Sequence, residues 1–278
     1  MIKRSRFSLN RIIYPNLKLE DSYRFTKDLD LDKIELRNDL PGGKIIDSYT
    51  PRQLEELSKK YGVEILTINA LQKFNLDAIL PKTMEELKKL INLSLSIGCK
   101  AIVLCPNNDV NDKRNSEEIF KETVKALKSF GPLFRDSGMQ GYLEPLGFEE
   151  CSLRSIVTAM RAIQESGYPV YKTVHDTFHH HIGPDTFDTI ENDYDISYTG
   201  LVHISGVECN IPVEEYRDNH RVLVTAQDRL QTKEQIELLL KLGYAGNISF
   251  EPFSQKVQEM EIEKIKSAIN HSIEYIGK

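Results

Sequence analysis

Eight short runs rich in β-branched and aromatic residues alternate along the chain with longer segments that have the apolar spacing of amphipathic helices. Such alternation predicts parallel strands joined by right-handed helical crossovers. Eight units favour a closed α/β barrel, the (β/α)8 TIM barrel, over an open doubly wound sheet. No glycine-rich phosphate loop follows the first run, which disfavours a dinucleotide-binding sheet. The predicted strands are residues 5–13, 33–37, 64–71, 101–106, 141–145, 171–176, 199–205 and 247–252.

Signals for helix ends support this interpretation. Thr50 is a favourable N-cap residue, and Pro51 follows it at the first helical position. Gly62 and Gly98 fall just after helical patterns, where glycine often ends a helix. The connection at residues 179–198 is acidic and has little helical spacing. The predicted helices are residues 17–29, 51–61, 83–97, 116–137, 152–166, 232–242 and 259–275.

Composition limits the classes of protein and partner. The net charge of −6 argues against a nucleic-acid surface, because such binding depends on neutralising phosphates with lysine and arginine. No apolar run approaches the roughly 20 residues of a membrane span, and the basic N-terminus lacks the apolar core of a secretory signal. We therefore predict one domain over residues 1–278 and a cytoplasmic location. Free thiols are expected in that reducing compartment, since no Cys-x-x-Cys pair occurs among Cys99, Cys105, Cys151 and Cys209.

Three carboxylates and one imidazole stand at the ends of the last four predicted strands. They are Glu144, Asp176, His203 and Glu251. Barrel enzymes place their chemistry at the C-terminal ends of the strands, which meet at one mouth of the barrel. Three oxygen donors and one nitrogen donor suit a single divalent ion, such as Mn²⁺, Zn²⁺, Mg²⁺ or Co²⁺. One such residue alone would be explained as a cap or a core group, but four on consecutive strands predict a metal site.

Strand alternation extends this prediction to the neighbouring positions. If the four candidate ligands point into the barrel, the residue before each of them points toward the helices. These outward residues are Leu143, His175, Val202 and Phe250. Three of them are apolar, whereas His175 would need a polar partner. On the second strand, Glu35 and Arg37 share one face, which suggests an internal ion pair.

The chain resembles the xylose isomerase-like barrel superfamily of sugar isomerases and epimerases over nearly its whole length. Within that superfamily, it is most similar to the inosose isomerase type and to the related ketose 3-epimerases. The motifs include Leu-Glu-Pro-Leu-Gly-Phe on the fifth strand and Ser-Phe-Glu-Pro-Phe on the eighth. The segments that carry the resemblance are residues 67–75, 143–148, 175–179, 202–204, 228–230 and 249–253.

The resemblance implies roles for individual residues. One divalent ion is bound in that family by the strand-end residues, which correspond here to Glu144, Asp176, His203 and Glu251. His179 and Glu150 are expected to contact substrate, and Arg229 matches an arginine of the inosose isomerase type. Asn69, at the end of the third strand, could hydrogen-bond a polyol. Cys209 stands where ketose epimerases carry an arginine, which weakens the assignment of a ketohexose 3-epimerase.

The implied activity is proton transfer beside a ketone. A divalent ion stabilises a cis-enediolate by Lewis-acid polarisation, while Glu144 and Glu251 move the proton as general acid and base. Return of the proton to the neighbouring carbon gives isomerisation, and return to the opposite face of the same carbon gives epimerisation. Both outcomes stay open. The expected partner is a small keto-polyol or ketose, as in carbohydrate metabolism and inositol catabolism.

The same barrel could also serve other functions. A lyase or dehydratase, such as a dehydroshikimate dehydratase-like enzyme, would use the same four ligands. An endonuclease IV-like hydrolase is expected to have a three-metal site with more histidine ligands and a basic face. Neither feature is evident in this sequence. A non-catalytic binding barrel would not need an intact ligand set. The sequence is compatible with a homo-oligomer.

Overall fold

A closed barrel of eight parallel strands forms the centre of the computed structural model, which describes residues 2–277. The strands pair in sequence order, and the first strand also pairs with the last. The predicted TIM barrel is therefore confirmed. The strands are β1 (Phe7–Asn10), β2 (Lys33–Arg37), β3 (Glu64–Leu71), β4 (Ala101–Leu104), β5 (Gln140–Leu143), β6 (Tyr171–Asp176), β7 (Thr199–Ile204) and β8 (Asn247–Phe250).

Helices surround the barrel and bury their apolar faces against the strands. Within residues 2–277, none of them has the length and apolar character needed to cross a bilayer. The helices are α1 (Leu19–Asp28), α2 (Pro51–Tyr61), α3 (Leu80–Ile97), α4 (Ser116–Ser137), α5 (Ile156–Ser166), α6 (Thr177–Ile182), α7 (Phe187–Asp193), α8 (Thr232–Lys241), α9 (Gln255–Gln258) and α10 (Ile262–Gly277).

Several predicted boundaries are wrong by a few residues, and local side-chain contacts explain two of them. The first strand is shorter than residues 5–13, since the Asn10 side chain accepts a hydrogen bond from the Ile12 amide and turns the chain into a 3-10 helix. Helix α5 begins at Ile156 rather than at residue 152. Ser155 caps it, and the Asp185 carboxylate accepts the hydrogen bond of the Ile156 amide.

The connection between β6 and β7 contains helical structure that its spacing did not predict. Helix α6 begins directly after β6, because Asp176 Oδ1 accepts hydrogen bonds from the amides of Phe178 (2.7 Å) and His179 (2.9 Å). The short helix α7 follows after Thr186. The cap on α6 folds the chain back at the strand end, and it thereby fixes the position of His179.

The outward-facing strand residues form the layer between barrel and helices. Leu143, Val202 and Phe250 are fully buried in that apolar layer. His175 has the polar partner that its burial requires, because its Nε2 lies 2.9 Å from the side-chain oxygen of Gln235 on α8. The expected alternation between inward and outward residues is therefore confirmed at these four strand ends.

The cysteines are all free thiols. Burial raises the pKa of Cys99 to about 12 and that of Cys151 to about 11. These two thiols therefore stay protonated at neutral pH and act as small buried apolar groups, as expected for scattered cysteines.

Helix α2 offers a test of the local signals. Thr50 Oγ1 accepts a hydrogen bond from the Gln53 amide, and the Gln53 side chain accepts one from the Thr50 amide. We expect Thr50→Ala to lower the free energy of unfolding by about 1 kcal/mol, because the cap is lost. Thr50→Ser keeps the hydroxyl and should remain close to the wild type. Urea unfolding of both variants measures this difference, and equal losses would contradict the capping role.

Candidate metal centre

Four side chains meet at the C-terminal mouth of the barrel. Each offers one ligand atom, and these atoms all lie within 4.8 Å of one another. All four are buried. They come together because adjacent parallel strands of a closed barrel end at one rim, and each residue lies within one residue of the end of its own strand. The residues are Glu144 after β5, Asp176 on β6, His203 on β7 and Glu251 after β8.

The imidazole of His203 lies among three carboxylates. Its Nδ1 is 2.7 Å from Glu144 Oε1 and 3.2 Å from Glu251 Oε2. Its Nε2 is 3.1 Å from Glu35 Oε2, on the other side of the ring. Burial lowers the pKa of His203, but attraction to Glu251, Glu35 and Glu144 raises it well above its ordinary value. The carboxylates therefore give the site a concentrated negative charge, which suits it to binding a cation.

Two buried arginines hold Glu251. Arg37 Nη1 donates to Glu251 Oε1 (2.7 Å), and Arg221 Nη2 donates to Glu251 Oε2 (3.0 Å). The same nitrogen of Arg221 donates to Asp176 Oδ2 at 2.6 Å. Burial raises the pKa of Glu251, but His203 and the two guanidinium groups hold it well below its ordinary value. Glu251 and Asp176 are thus fixed by charge-assisted hydrogen bonds.

Glu144 has different surroundings. Its Oε1 faces His203, and its Oε2 accepts a hydrogen bond only from the Cys105 thiol, at 3.6 Å, among the described residues. Burial and the charge of Glu144 raise the pKa of the Cys105 thiol well above its ordinary value, so the thiol remains a neutral donor. The two glutamates of the cluster therefore differ in how tightly their carboxylates are held.

The predicted ion pair between Glu35 and Arg37 is wrong. The Arg37 guanidinium reaches across the mouth to Glu251 and also binds Asp39 at the rim. Glu35 instead lies within hydrogen-bonding distance of Asn10 on β1, of Thr67 and Asn69 on β3, and of His203 on β7. Each of the two side chains therefore binds residues from other strands, because the inward-pointing side chains of several strands meet in the interior of a closed barrel.

A cavity of about 170 Å³ opens directly onto the cluster. Glu144, Glu251, His179 and Asn69 line it. The Gly147 amide donates to His179 Nδ1 (3.2 Å), so the neutral ring carries its proton on Nε2 and keeps a donor for a ligand. The side-chain nitrogen Nδ2 of Asn69 donates a hydrogen bond to Glu35 Oε2 (2.9 Å). The structure thus brings both of these predicted substrate residues to the mouth.

Two other predicted substrate residues lie elsewhere. Arg229 is exposed and does not line this cavity. Glu150 lines a neighbouring cavity of about 240 Å³, and Phe148 belongs to the walls of both cavities.

Two other arginines, Arg37 and Arg221, reach the cluster instead of Arg229. The loop that carries Arg221 has neither strand nor helix periodicity, so no sequence signal pointed to that residue. Cys105, whose thiol donates to Glu144, could have been found from its position near the end of the fourth predicted strand.

The donor set can hold one divalent ion. Its three carboxylates and one imidazole are an acceptable set for Zn²⁺, Mn²⁺, Co²⁺ or Mg²⁺. A buried carboxylate cluster also needs positive charge to offset the cost of removing it from water. Arg37 and Arg221 supply part of that charge. The residues present therefore fit a divalent cation in both chemistry and charge.

Comparisons with known proteins agree with this architecture. The family model described as xylose isomerase-like TIM barrel matches residues 23–276. An inosose isomerase from Halalkalibacterium halodurans is 23% identical over 250 residues, which cover 89% of this chain and 87% of that protein. A xylose isomerase domain-containing protein from Salmonella typhimurium LT2 is 38% identical, with a TM-score of 0.93 over 100% of this chain and 99% of that chain. The IolI protein, solved with a zinc atom, is 20% identical, with a TM-score of 0.89 over 98% of this chain and 97% of that chain.

The chain therefore belongs to the xylose isomerase-like TIM barrel family. The resemblance noted from the strand-end motifs is confirmed. The relatives found by sequence are inosose isomerases, which places the chain in a family that contains sugar isomerases. The likeness to the zinc-containing protein shows a shared fold, and the zinc is a property of that protein.

The unequal support of the two glutamates leads to a stability prediction. Glu251→Gln removes the charge that Arg37 and Arg221 share, so we expect a loss on the order of 3 kcal/mol in the free energy of unfolding. Glu144→Gln is the matched control, because no arginine among residues 2–277 donates to Glu144, and its loss should be smaller. Urea unfolding of both variants after chelator treatment measures the difference. Equal losses would show that the two arginines do not depend on Glu251.

Proposed function

We propose that this protein is a divalent-metal-dependent isomerase or epimerase of a keto-polyol or ketose. The observation that carries the proposal is the convergence of Glu144, Asp176, His203 and Glu251 beside a polar cavity. The sequence similarity to the inosose isomerase from Halalkalibacterium halodurans also supports the proposal, because the name of that enzyme specifies a keto-polyol substrate. Inosose is accordingly the first compound to test.

The chain's own residues would divide the work of proton transfer. A divalent ion held by the four residues would supply Lewis-acid polarisation of the ketone and its neighbouring hydroxyl, which favours a cis-enediolate. Glu144 and Glu251 come from β5 and β8 and both line the cavity, so they can reach a substrate from different sides. One carboxylate removes the proton beside the ketone, and either carboxylate returns it. His179 Nε2 is a donor that orients a substrate oxygen.

The charges along the cavity support an uncharged substrate. Arg37 donates to Asp39 and Glu251, and Arg221 donates to Asp218 and Glu251. Each guanidinium of the wall is therefore already paired within the described part of the chain. A carboxylate or phosphate on the substrate would have to compete with these pairs. This favours a neutral keto-polyol or ketose over the carboxylated substrate of a dehydroshikimate dehydratase-like lyase, which stays the second candidate.

Other features fit the same proposal. A net charge of −6 and one group of candidate ligands among residues 2–277 support a small-molecule partner over nucleic acid, and so disfavour an endonuclease IV-like hydrolase. Free cysteines accord with a reducing cytoplasm. A single domain over residues 1–278, which the chain length suits, and a role in inositol catabolism are further parts of the proposal, and a homo-oligomer is compatible with it.

Solvent-deuterium exchange tests the proposed reaction, because it reports enolisation even where net turnover is slow. The purified protein is incubated in deuterium oxide with a panel of inososes and ketoses, with Mn²⁺, Zn²⁺, Mg²⁺ or Co²⁺ supplied separately. We expect deuterium at the carbon beside the ketone in a neutral substrate, and loss of exchange after chelation that one of the ions restores. Mass spectrometry measures the incorporation. Dehydration of 3-dehydroshikimate without exchange into any neutral ketone would favour the lyase instead.

Variants of the two glutamates test the proton-transfer groups. Glu144→Gln and Glu251→Gln should each slow exchange by about 10²–10⁴-fold, the usual range for loss of general acid–base catalysis. Glu149→Gln changes an exposed glutamate in the same loop as Glu144 and should leave the rate unchanged. The exchange rate is measured at saturating metal, so that weakened metal binding does not mimic a lost base. Wild-type exchange in both cluster variants would exclude them as proton-transfer groups.

A further inference from the structure

A fifth carboxylate, Glu35, lies inside the barrel next to the cluster but does not belong to the four candidate ligands. We propose that Glu35 is the positioning residue of the metal centre, which holds His203 in the tautomer and orientation needed to bind a cation. This inference rests on the proposed function, because it requires that the four-residue cluster binds a metal ion. It assigns a role to a residue that the sequence motifs did not single out for this purpose.

The hydrogen bonds around Glu35 hold it as an acceptor. Thr67 Oγ1 and Asn69 Nδ2 donate to Glu35 Oε2 at 2.5 and 2.9 Å, and Asn10 Nδ2 lies 3.5 Å from Oε1. Hydroxyl and amide donors from β1 and β3 thus surround the carboxylate. Its oxygen is therefore presented to His203 Nε2 in a fixed position, at 3.1 Å.

An acceptor at Nε2 decides what the other ring nitrogen can do. A neutral imidazole carries one proton, and the nitrogen without it has the lone pair that can bind a metal. Metal binding requires the neutral ring, and in that form the lone pair is on Nδ1 when Nε2 donates to Glu35. Nδ1 is the nitrogen that faces Glu144 and Glu251, at 2.7 and 3.2 Å. The hydrogen bond to Glu35 therefore directs the lone pair of His203 into the cluster.

Burial makes this contact effective. Glu35 and His203 have no solvent-exposed surface, so water does not compete for the Nε2 hydrogen bond. Carboxylates that accept the second N–H of a metal-binding histidine also make the ligand more basic, and their loss typically lowers metal affinity by about 10–100-fold. Removal of Glu35 should therefore weaken metal binding through His203, with every direct ligand still present.

The experiment measures metal affinity rather than activity. Zn²⁺ is titrated calorimetrically into chelator-treated wild type and Glu35→Met, which retains side-chain length but cannot accept the Nε2 hydrogen bond in the same way. We expect a 10–100-fold weaker Kd for Glu35→Met. Glu35→Gln keeps a carbonyl oxygen for Nε2 and should recover much of the affinity. Co²⁺-loaded protein adds a second readout, since its visible absorption spectrum should change in Glu35→Met.

A double-mutant cycle separates positioning from a purely structural effect. If Glu35 acts through His203, Glu35→Met should weaken Zn²⁺ binding much less in a His203→Gln background than in the wild type. Glu64→Met is the matched control and should leave Zn²⁺ affinity unchanged, because it makes the same change at an exposed glutamate at the start of β3, the end of the strand opposite the mouth. If Glu35→Met does not fold, Glu35→Asp replaces it in the cycle, since it keeps the charge and draws the acceptor away from Nε2.

The outcomes distinguish this inference from the proposed function. Wild-type Zn²⁺ affinity in folded Glu35→Met or Glu35→Asp, or equal losses in both backgrounds of the cycle, would overturn the positioning role and leave the metal centre intact. A wild-type protein that binds none of the four divalent ions would overturn the metal centre and the positioning role together. Circular dichroism and urea unfolding of each variant in chelator show whether a loss of affinity follows from a loss of fold.

Discussion

Concentrated negative charge at a buried barrel mouth is the constraint on which the rest of the site depends. The carboxylates that meet there are Glu35, Glu144, Asp176 and Glu251. Buried charges are tolerated only when they are paired and hydrogen-bonded. Arg37 and Arg221 provide two buried counter-charges, and His203 lies between the carboxylates. A divalent ion would complete this balance, so the features that make the mouth costly to bury also make it suited to metal binding.

The compensation is not symmetric, and this asymmetry bears on the proposed chemistry. Both arginines donate to Glu251, whereas Glu144 accepts from the weak thiol donor of Cys105. A carboxylate held by two guanidinium groups is a well-fixed anchor. A carboxylate with fewer donors keeps more freedom to exchange a proton with a substrate in the cavity. The two glutamates thus occupy equivalent strand ends but different electrostatic surroundings.

Arg221 reaches the site because a long connection between β7 and α8 is tied down at several points. Gly206 and Val222 exchange backbone hydrogen bonds of 2.7 and 2.8 Å. Asp228 Oδ1 accepts from the amide of Val207, and its Oδ2 accepts from the amide of Thr232 at the start of α8. The conspicuous Asp228-Arg-Leu motif therefore contributes through its aspartate, which organises the loop, while its arginine is exposed.

The sequence by itself determined the barrel and the strand-end positions of the candidate ligands. The spacing of apolar residues and the identity of cap residues can be read from short stretches of sequence. In a parallel barrel, a residue at the C-terminal end of a strand also lies near the mouth. Boundaries were less certain, since single contacts such as that of Asn10 decide them. Only the tertiary structure decided that Arg37 binds Glu251 and that Arg221 rather than Arg229 joins the cluster. A long side chain takes partners from distant segments, and their placement is set by how loops and strands fold together.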